Sequence, residues 1–124
     1  MAASSANLHE DSLSPGIVNR HRAIVSLMEE LEAVDWYDQR VEATEDDSLG
    51  AVLAHNRDEE KEHAAMTLEW LRRHDPALSG HLRTYLFTEL PVTEVEKEVE
   101  TGAAGAAPVE GTLGIGSLKG MGER

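Results

Sequence analysis

The stretch His55-Asn56-Arg57-Asp58-Glu59-Glu60-Lys61-Glu62-His63-Ala64-Ala65-Met66 contains neither glycine nor proline and is dense in charge. By charge alone it is a solvated piece of helix. Within it, Glu60-Lys61-Glu62-His63 sets a carboxylate and an imidazole one turn apart on one face, where both can reach the same metal ion. The stretch sits inside a longer helical pattern, about Asp47 to His74, that carries Leu49, Leu53, Leu68, Trp70 and Leu71. One stripe of that helix reads Leu49, Leu53, Asn56, Glu60, His63, Thr67, Trp70. It is apolar at its ends and polar at its centre, so Glu60 and His63 are the pair the pattern turns inward. Glu59 and Glu62 point away, beside Lys61 and Arg57.

Upstream, Ser14-Pro15 reads as an N-cap followed by proline at the first helical position. Apolar residues then recur at helical spacing to about Thr44: Ile17, Ile24, Leu27, Leu31, Val34, Val41. The stripe Ala23, Leu27, Glu30, Val34, Tyr37, Val41 is apolar or aromatic except at Glu30, a carboxylate that is costly to bury alone. Glu29 and Glu32 lie off this stripe, where water reaches them more easily. Thr44 to Asp47 forms a short acidic turn that sends the second helix back along the first, each helix being about 40 Å long. Glu30 lies about 15 residues before the centre of that turn and Glu60 about 15 after it, which predicts that they face each other at one height. Asp75-Pro76 restarts a shorter helix over 76–89, and no strand pattern is visible.

The fold class expected is all-α: an antiparallel two-helix hairpin with a short third helix. Residues 1–13 read as a disordered N-terminus and 14–91 as the helical domain. Residues 92–111 read as a linker, acidic to Glu100 and then rich in Ala and Gly. It leads to Leu113-Gly114-Ile115-Gly116-Ser117-Leu118-Lys119, a small apolar island among glycines that suits a short docking motif better than a core, with a frayed terminus as the plainer reading.

Composition narrows the chemistry. The 124 residues carry 24 Asp and Glu against 11 Lys and Arg, a formal charge of −13. Such a surface repels nucleic acid and anionic membranes and concentrates cations. The absence of cysteine excludes disulfides, thiolate metal sites and thiol catalysis. The first residues have no basic or apolar run of a leader, and no segment approaches the roughly 20 apolar residues of a membrane span. The chain is accordingly expected to be soluble and intracellular.

Four-helix carboxylate proteins that bind two metals place one Glu on each of two helices and a Glu-x-x-His on each of the other two. This chain has half of that set on half of a bundle, and two helices cannot bury their apolar stripes alone. Two chains about a twofold axis would supply Glu30, Glu60 and His63 twice. Oxygen and nitrogen donors without sulfur suit iron or manganese.

Three runs resemble the encapsulated ferritins, over roughly residues 17–90. They are Val18-Asn19-Arg20-His21-Arg22-Ala23-Ile24-Val25, Met28 through Arg40 (MEELEAVDWYDQR), and Leu53-Ala54-His55-Asn56-Arg57-Asp58-Glu59-Glu60-Lys61-Glu62-His63. The tail Leu113–Lys119 is similar to the targeting peptide by which such cargo docks inside encapsulin nanocompartments. The resemblance implies a ferritin-like four-helix bundle formed by dimerisation, with dimers assembled into a ring-shaped decamer. It implies a ferroxidase that oxidises Fe(II) to Fe(III) with O2 at a di-iron centre between subunits and supplies mineral storage inside a cytoplasmic encapsulin shell, with 112–124 as the targeting peptide. Carried over by motif, the iron ligands are Glu30, Glu60 and His63 from both chains. Tyr37 is the aromatic residue beside the centre, and Glu29, Glu32 and Trp36 form a metal-attracting site near its entrance, with Ca2+ or another divalent ion as a further occupant of secondary sites. Two other readings use the same residues: a non-catalytic acidic adaptor in which Glu30 pairs with Arg57 or another cation across the hairpin, and a peroxide-consuming di-metal protein.

Overall fold

The structure, a computed structural model, describes residues 8–102. Helix α1 spans Pro15–Ala43, α2 Asp47–His74, α3 Pro76–Tyr85 and α4 Val92–Glu100, and no strand occurs among the described residues. The docking island Leu113–Lys119, residues 1–7 of the expected disordered N-terminus and residues 103–111 of the expected linker lie outside that range. None of the described helices is long and apolar enough to cross a membrane.

Local chemistry sets the helix ends. The Ser14 side chain accepts from the Ile17 N–H at 3.3 Å, and Pro15 follows where a missing N–H costs nothing. At the turn, Thr44 closes α1 through its N–H to the Arg40 carbonyl, 3.0 Å. Asp46 opens α2 by accepting from the Leu49 N–H and the Ser48 hydroxyl, both at 2.8 Å. Asp75 ends α2 and opens α3, its carboxylate accepting from the Leu78 N–H at 3.0 Å.

The chain divides into two compact units, residues 1–79 and 80–124, of which the first holds the α1–α2 hairpin. Polar contacts that cross the hairpin among the described residues include Arg20 to Asp75 at 3.8 Å, Thr67 to Glu30 at 3.3 Å, and Arg57 to Asp38 at 3.3 Å. Partner numbers fall on one helix as they rise on the other, which is the antiparallel pairing the short turn dictates. Each α1 residue meets a partner five to seven positions further along the chain than a mirror about the turn gives. Side chains lean toward the N-terminus of their own helix, so Arg20 and Glu30 reach past the level of their backbone.

Among the described residues of this unit, Val25, Ala64 and Leu71 are the buried ones. The stripe expected to face inward on α1, from Ala23 to Val41, is half-buried throughout. Ile17, Ile24, Met28 and Leu31 on α1, with Leu49, Val52, Met66 and Trp70 on α2, are exposed. A hairpin has one seam, and its apolar residues cover a wider arc than one neighbour can cover.

The far end of α2 is held by a polar clamp. Glu69 accepts from Arg72 Nε and Nη2 at 2.8 Å each and from Arg73 Nε at 2.7 Å, while Arg72 Nη1 donates to the Ser79 hydroxyl at 3.0 Å. The Arg72 hydrogen bond, with Arg73 adding to it, holds the Glu69 carboxyl down to about 2 from 4.5 against the opposing effect of burial. A folded-state value below the unfolded one means that the clamp stabilises above pH 4.5 and is lost as pH falls from 4.5 toward 2. Because the Glu69 side chain is 42% exposed, water screens much of the effect. Glu69→Gln is therefore expected to lower the thermal midpoint modestly at pH 7, with the gap to wild type narrowing between pH 4.5 and pH 3; a gap independent of pH would mean that packing, not charge, is at work.

α3 stops at Tyr85, four residues before the expected 89. Phe87 takes a left-handed backbone, φ 63°, and is fully exposed. The segment from Val92 to Glu100 corrects the linker expectation. It is helical because Val92, Val95 and Val99 recur at helical spacing, Lys97 pairs with Glu94 at 3.3 Å, and Val95 is buried.

Candidate metal centre

Glu30 belongs to the middle of α1 and Glu60 and His63 to the middle of α2. The i, i+3 spacing brings His63 Nδ1 to 3.6 Å from Glu60 Oε1. Their side chains are 47% and 28% exposed, so solvent reaches the pair. Glu30 is different. Its Oε2 accepts from the Thr67 hydroxyl at 3.3 Å, and its Oε1 is buried with no hydrogen-bond partner. An oxygen of that kind is costly to keep, about 1–3 kcal/mol for an unsatisfied buried polar group. It is the sort of atom that a bound cation would satisfy.

Glu30 and Glu60 were expected to oppose each other. The carboxylate of Glu30 is instead directed to Thr67, one turn beyond His63, because the side chains lean as described. Among the described residues no cluster of three or more His, Asp or Glu side chains is gathered to hold a metal within one chain. One chain thus offers an orphaned carboxylate oxygen and, separately, a carboxylate–imidazole pair.

The other residues of interest lie nearby in sequence on α1. Tyr37 is half-buried on the Glu30 stripe, and the Arg40 guanidinium stands 5.8 Å from its ring and 6.0 Å from that of Trp36. Trp36 and Glu29 are exposed, whereas Glu32, expected to be well solvated, is half-buried. Arg57 pairs with Asp38 and Asp58, at 3.3 and 3.1 Å, and so is engaged elsewhere than at Glu30. The sequence stripe contains Thr67 but gives it no role. The signal available was a hydroxyl four residues after His63, among residues turned inward.

A hairpin of long helices that carries a carboxylate on one arm and a carboxylate–imidazole pair on the other has the features of a ferritin-like protein. The chain belongs to the EncFtn-like family, which matches residues 5–89. It is 63% identical over 130 residues to the encapsulated ferritin-like protein of Rhodospirillum rubrum, spanning 97% of this chain and 93% of that protein. The encapsulin nanocompartment cargo protein EncC of Myxococcus xanthus is 34% identical over 99 residues, 73% of this chain and 76% of that one. A crystal structure of a Nitrosomonas europaea protein superposes with a TM-score of 0.67 at 60% identity, covering 68% of this chain and 96% of that chain.

Proposed function

We propose that the protein is a ferroxidase carried as encapsulin cargo, with its di-iron centre completed between two copies of the chain. The observation that carries this reading is the buried, unpartnered Oε1 of Glu30 in a chain that also holds the open Glu60–His63 pair. Two copies supply Glu30, Glu60 and His63 twice, a donor set of carboxylate oxygen and imidazole nitrogen suited to iron. Iron is the substrate: two Fe(II) ions each give one electron to O2, which takes up two protons and leaves as hydrogen peroxide, with two Fe(III) as product. Glu60 and His63 bind Fe(II) from the exposed side, Glu30 closes the site from within, and Tyr37 lines it. Glu29, Glu32 and Trp36, on the same stretch of α1, attract cations toward the entrance, where Ca2+ or another divalent ion competes for the same oxygens. The charge of −13 draws Fe(II) to the surface as a whole.

The acidic adaptor reading requires Glu30 to pair with a cation such as Arg57, and Arg57 is engaged with Asp38 and Asp58. The relatives' names, encapsulated ferritin-like protein and encapsulin nanocompartment cargo protein, support a shell as partner. The peptide Leu113–Lys119 is the proposed contact, dimers assembled into a ring-shaped decamer are the proposed cargo, and the shell lumen within the cytoplasm is the proposed location.

The test is aerobic Fe(II) oxidation followed by ferric absorbance. Wild type is expected to exceed buffer clearly, Glu60→Ala and His63→Ala to lose most of that rate, and truncation before Thr112 to keep the rate while ending co-purification with a coexpressed encapsulin shell. Wild type matching buffer while folded and oligomeric would overturn the ferroxidase reading.

A further inference from the structure

We propose that Thr67 is the positioning residue for the Glu30 carboxylate. This rests on the ferroxidase reading and deepens it. Among the described residues Glu30 accepts one hydrogen bond, and it comes from the opposite helix: Thr67 Oγ1 donates to Oε2 at 3.3 Å. The hydroxyl has a single proton, so a proton given to Glu30 is withheld from the backbone carbonyl one turn earlier, the usual alternative for threonine in a helix. Threonine is stiff about χ1, which makes it a better fixed point than serine would be on entropy alone.

The consequence is an asymmetry between the two oxygens of Glu30. Oε2 is tied to α2, while Oε1 is buried and unpartnered. A carboxylate held by one oxygen can no longer swing freely about its terminal bond. Its other oxygen is then the one available to Fe(II), with no reorganisation needed on binding. Hydrogen-bond partners of ligating carboxylates orient their ligands, and their loss typically costs 10–100-fold in metal affinity or activity. At 3.3 Å the bond is long for O–H···O. The same bond joins α1 to α2 beside the Glu60–His63 pair, so Thr67 couples the two ligand-bearing helices at the level where they must cooperate.

The experiment uses the full chain and Co(II) as a spectroscopic stand-in for Fe(II). Thr67→Val removes the hydroxyl at nearly constant shape, and Thr67→Ser restores it. Thr67→Val is expected to weaken Co(II) binding about tenfold and to alter the visible ligand-field band, with helicity and oligomeric mass unchanged. Thr67→Ser is expected to stay within about twofold of wild type, a rescue that a merely space-filling role would not give. If wild type binds Co(II) and Thr67→Val matches it in affinity and spectrum, the positioning role is wrong and the centre stands. If wild type binds no Co(II), and Glu30→Ala and His63→Ala change nothing, the centre itself is wrong and the role of Thr67 falls with it.

Discussion

Glu30→Leu is expected to reduce Fe(II) oxidation to the buffer rate and, at the same time, to raise the thermal midpoint of the metal-free protein. The first effect follows from the proposed ligand set, which Glu30 closes from the inside. The second follows from burial. Glu30 interrupts an otherwise apolar stripe, and its Oε1 lies away from solvent with nothing to accept from. Leucine is close in size, suits the neighbours Leu27 and Val34, and removes the unsatisfied charge. The Thr67 hydroxyl loses an acceptor but can return to a carbonyl of its own helix. With the residue only half-buried, a gain of about 1 kcal/mol is expected, at the low end for an unsatisfied group, and about 4–8 °C in a domain of this size. Melts must be compared at equal protein concentration, because association adds to apparent stability. A fall in midpoint with oxidation intact would make Glu30 a structural residue and remove the main support for the centre.

Leu31→Glu is expected to leave single chains of 13.6 kDa and to abolish oxidation through loss of the partner. Leu31 follows Glu30 directly, is 54% exposed, and continues the row Ile17, Ile24 at seven-residue spacing. If two hairpins meet over this face, the new carboxylate must be desolvated between them, at a cost of several kcal/mol for the ion. Every 1.4 kcal/mol is tenfold in association, so weakening by about a thousandfold is expected. Sedimentation of the variant beside Gln39→Glu, an exposed position outside that row, separates a charge effect from an interface effect. Association at wild-type strength would place the interface elsewhere; lost oxidation with intact association would mean that the new charge disturbs the neighbouring Glu30 directly.

Much of the hairpin is legible in the sequence because its determinants are local. Ser14-Pro15, Thr44 to Asp47 and Asp75-Pro76 are capping and turn signals, and the structure begins and ends α2 where they stand. The Glu60–His63 pair is legible for the same reason, since a separation of three within one helix fixes proximity. What was not legible depends on relations between helices. The buried seam of Val25, Ala64 and Leu71 and the contact from Thr67 to Glu30 follow from how two helices lean together, which periodicity on either one does not contain. α4 was hidden by its charge: five Glu and Lys side chains between Thr93 and Thr101 conceal three valines at helical spacing. The early end of α3 has no usual marker, because Phe87 occupies a left-handed position that favours Gly or Asn.

The three-residue connection from Thr44 to Asp46 also bears on how the protein comes together in time. α1 and α2 pack along their length, and they are neighbours in sequence. Pairings between adjacent helices close small loops, so the hairpin forms in microseconds to milliseconds after synthesis or dilution from denaturant. Any slower phase belongs to the meeting of separate chains, whose rate grows with their concentration. Crowding many copies into a small volume would then shorten the slow phase without altering the chain itself.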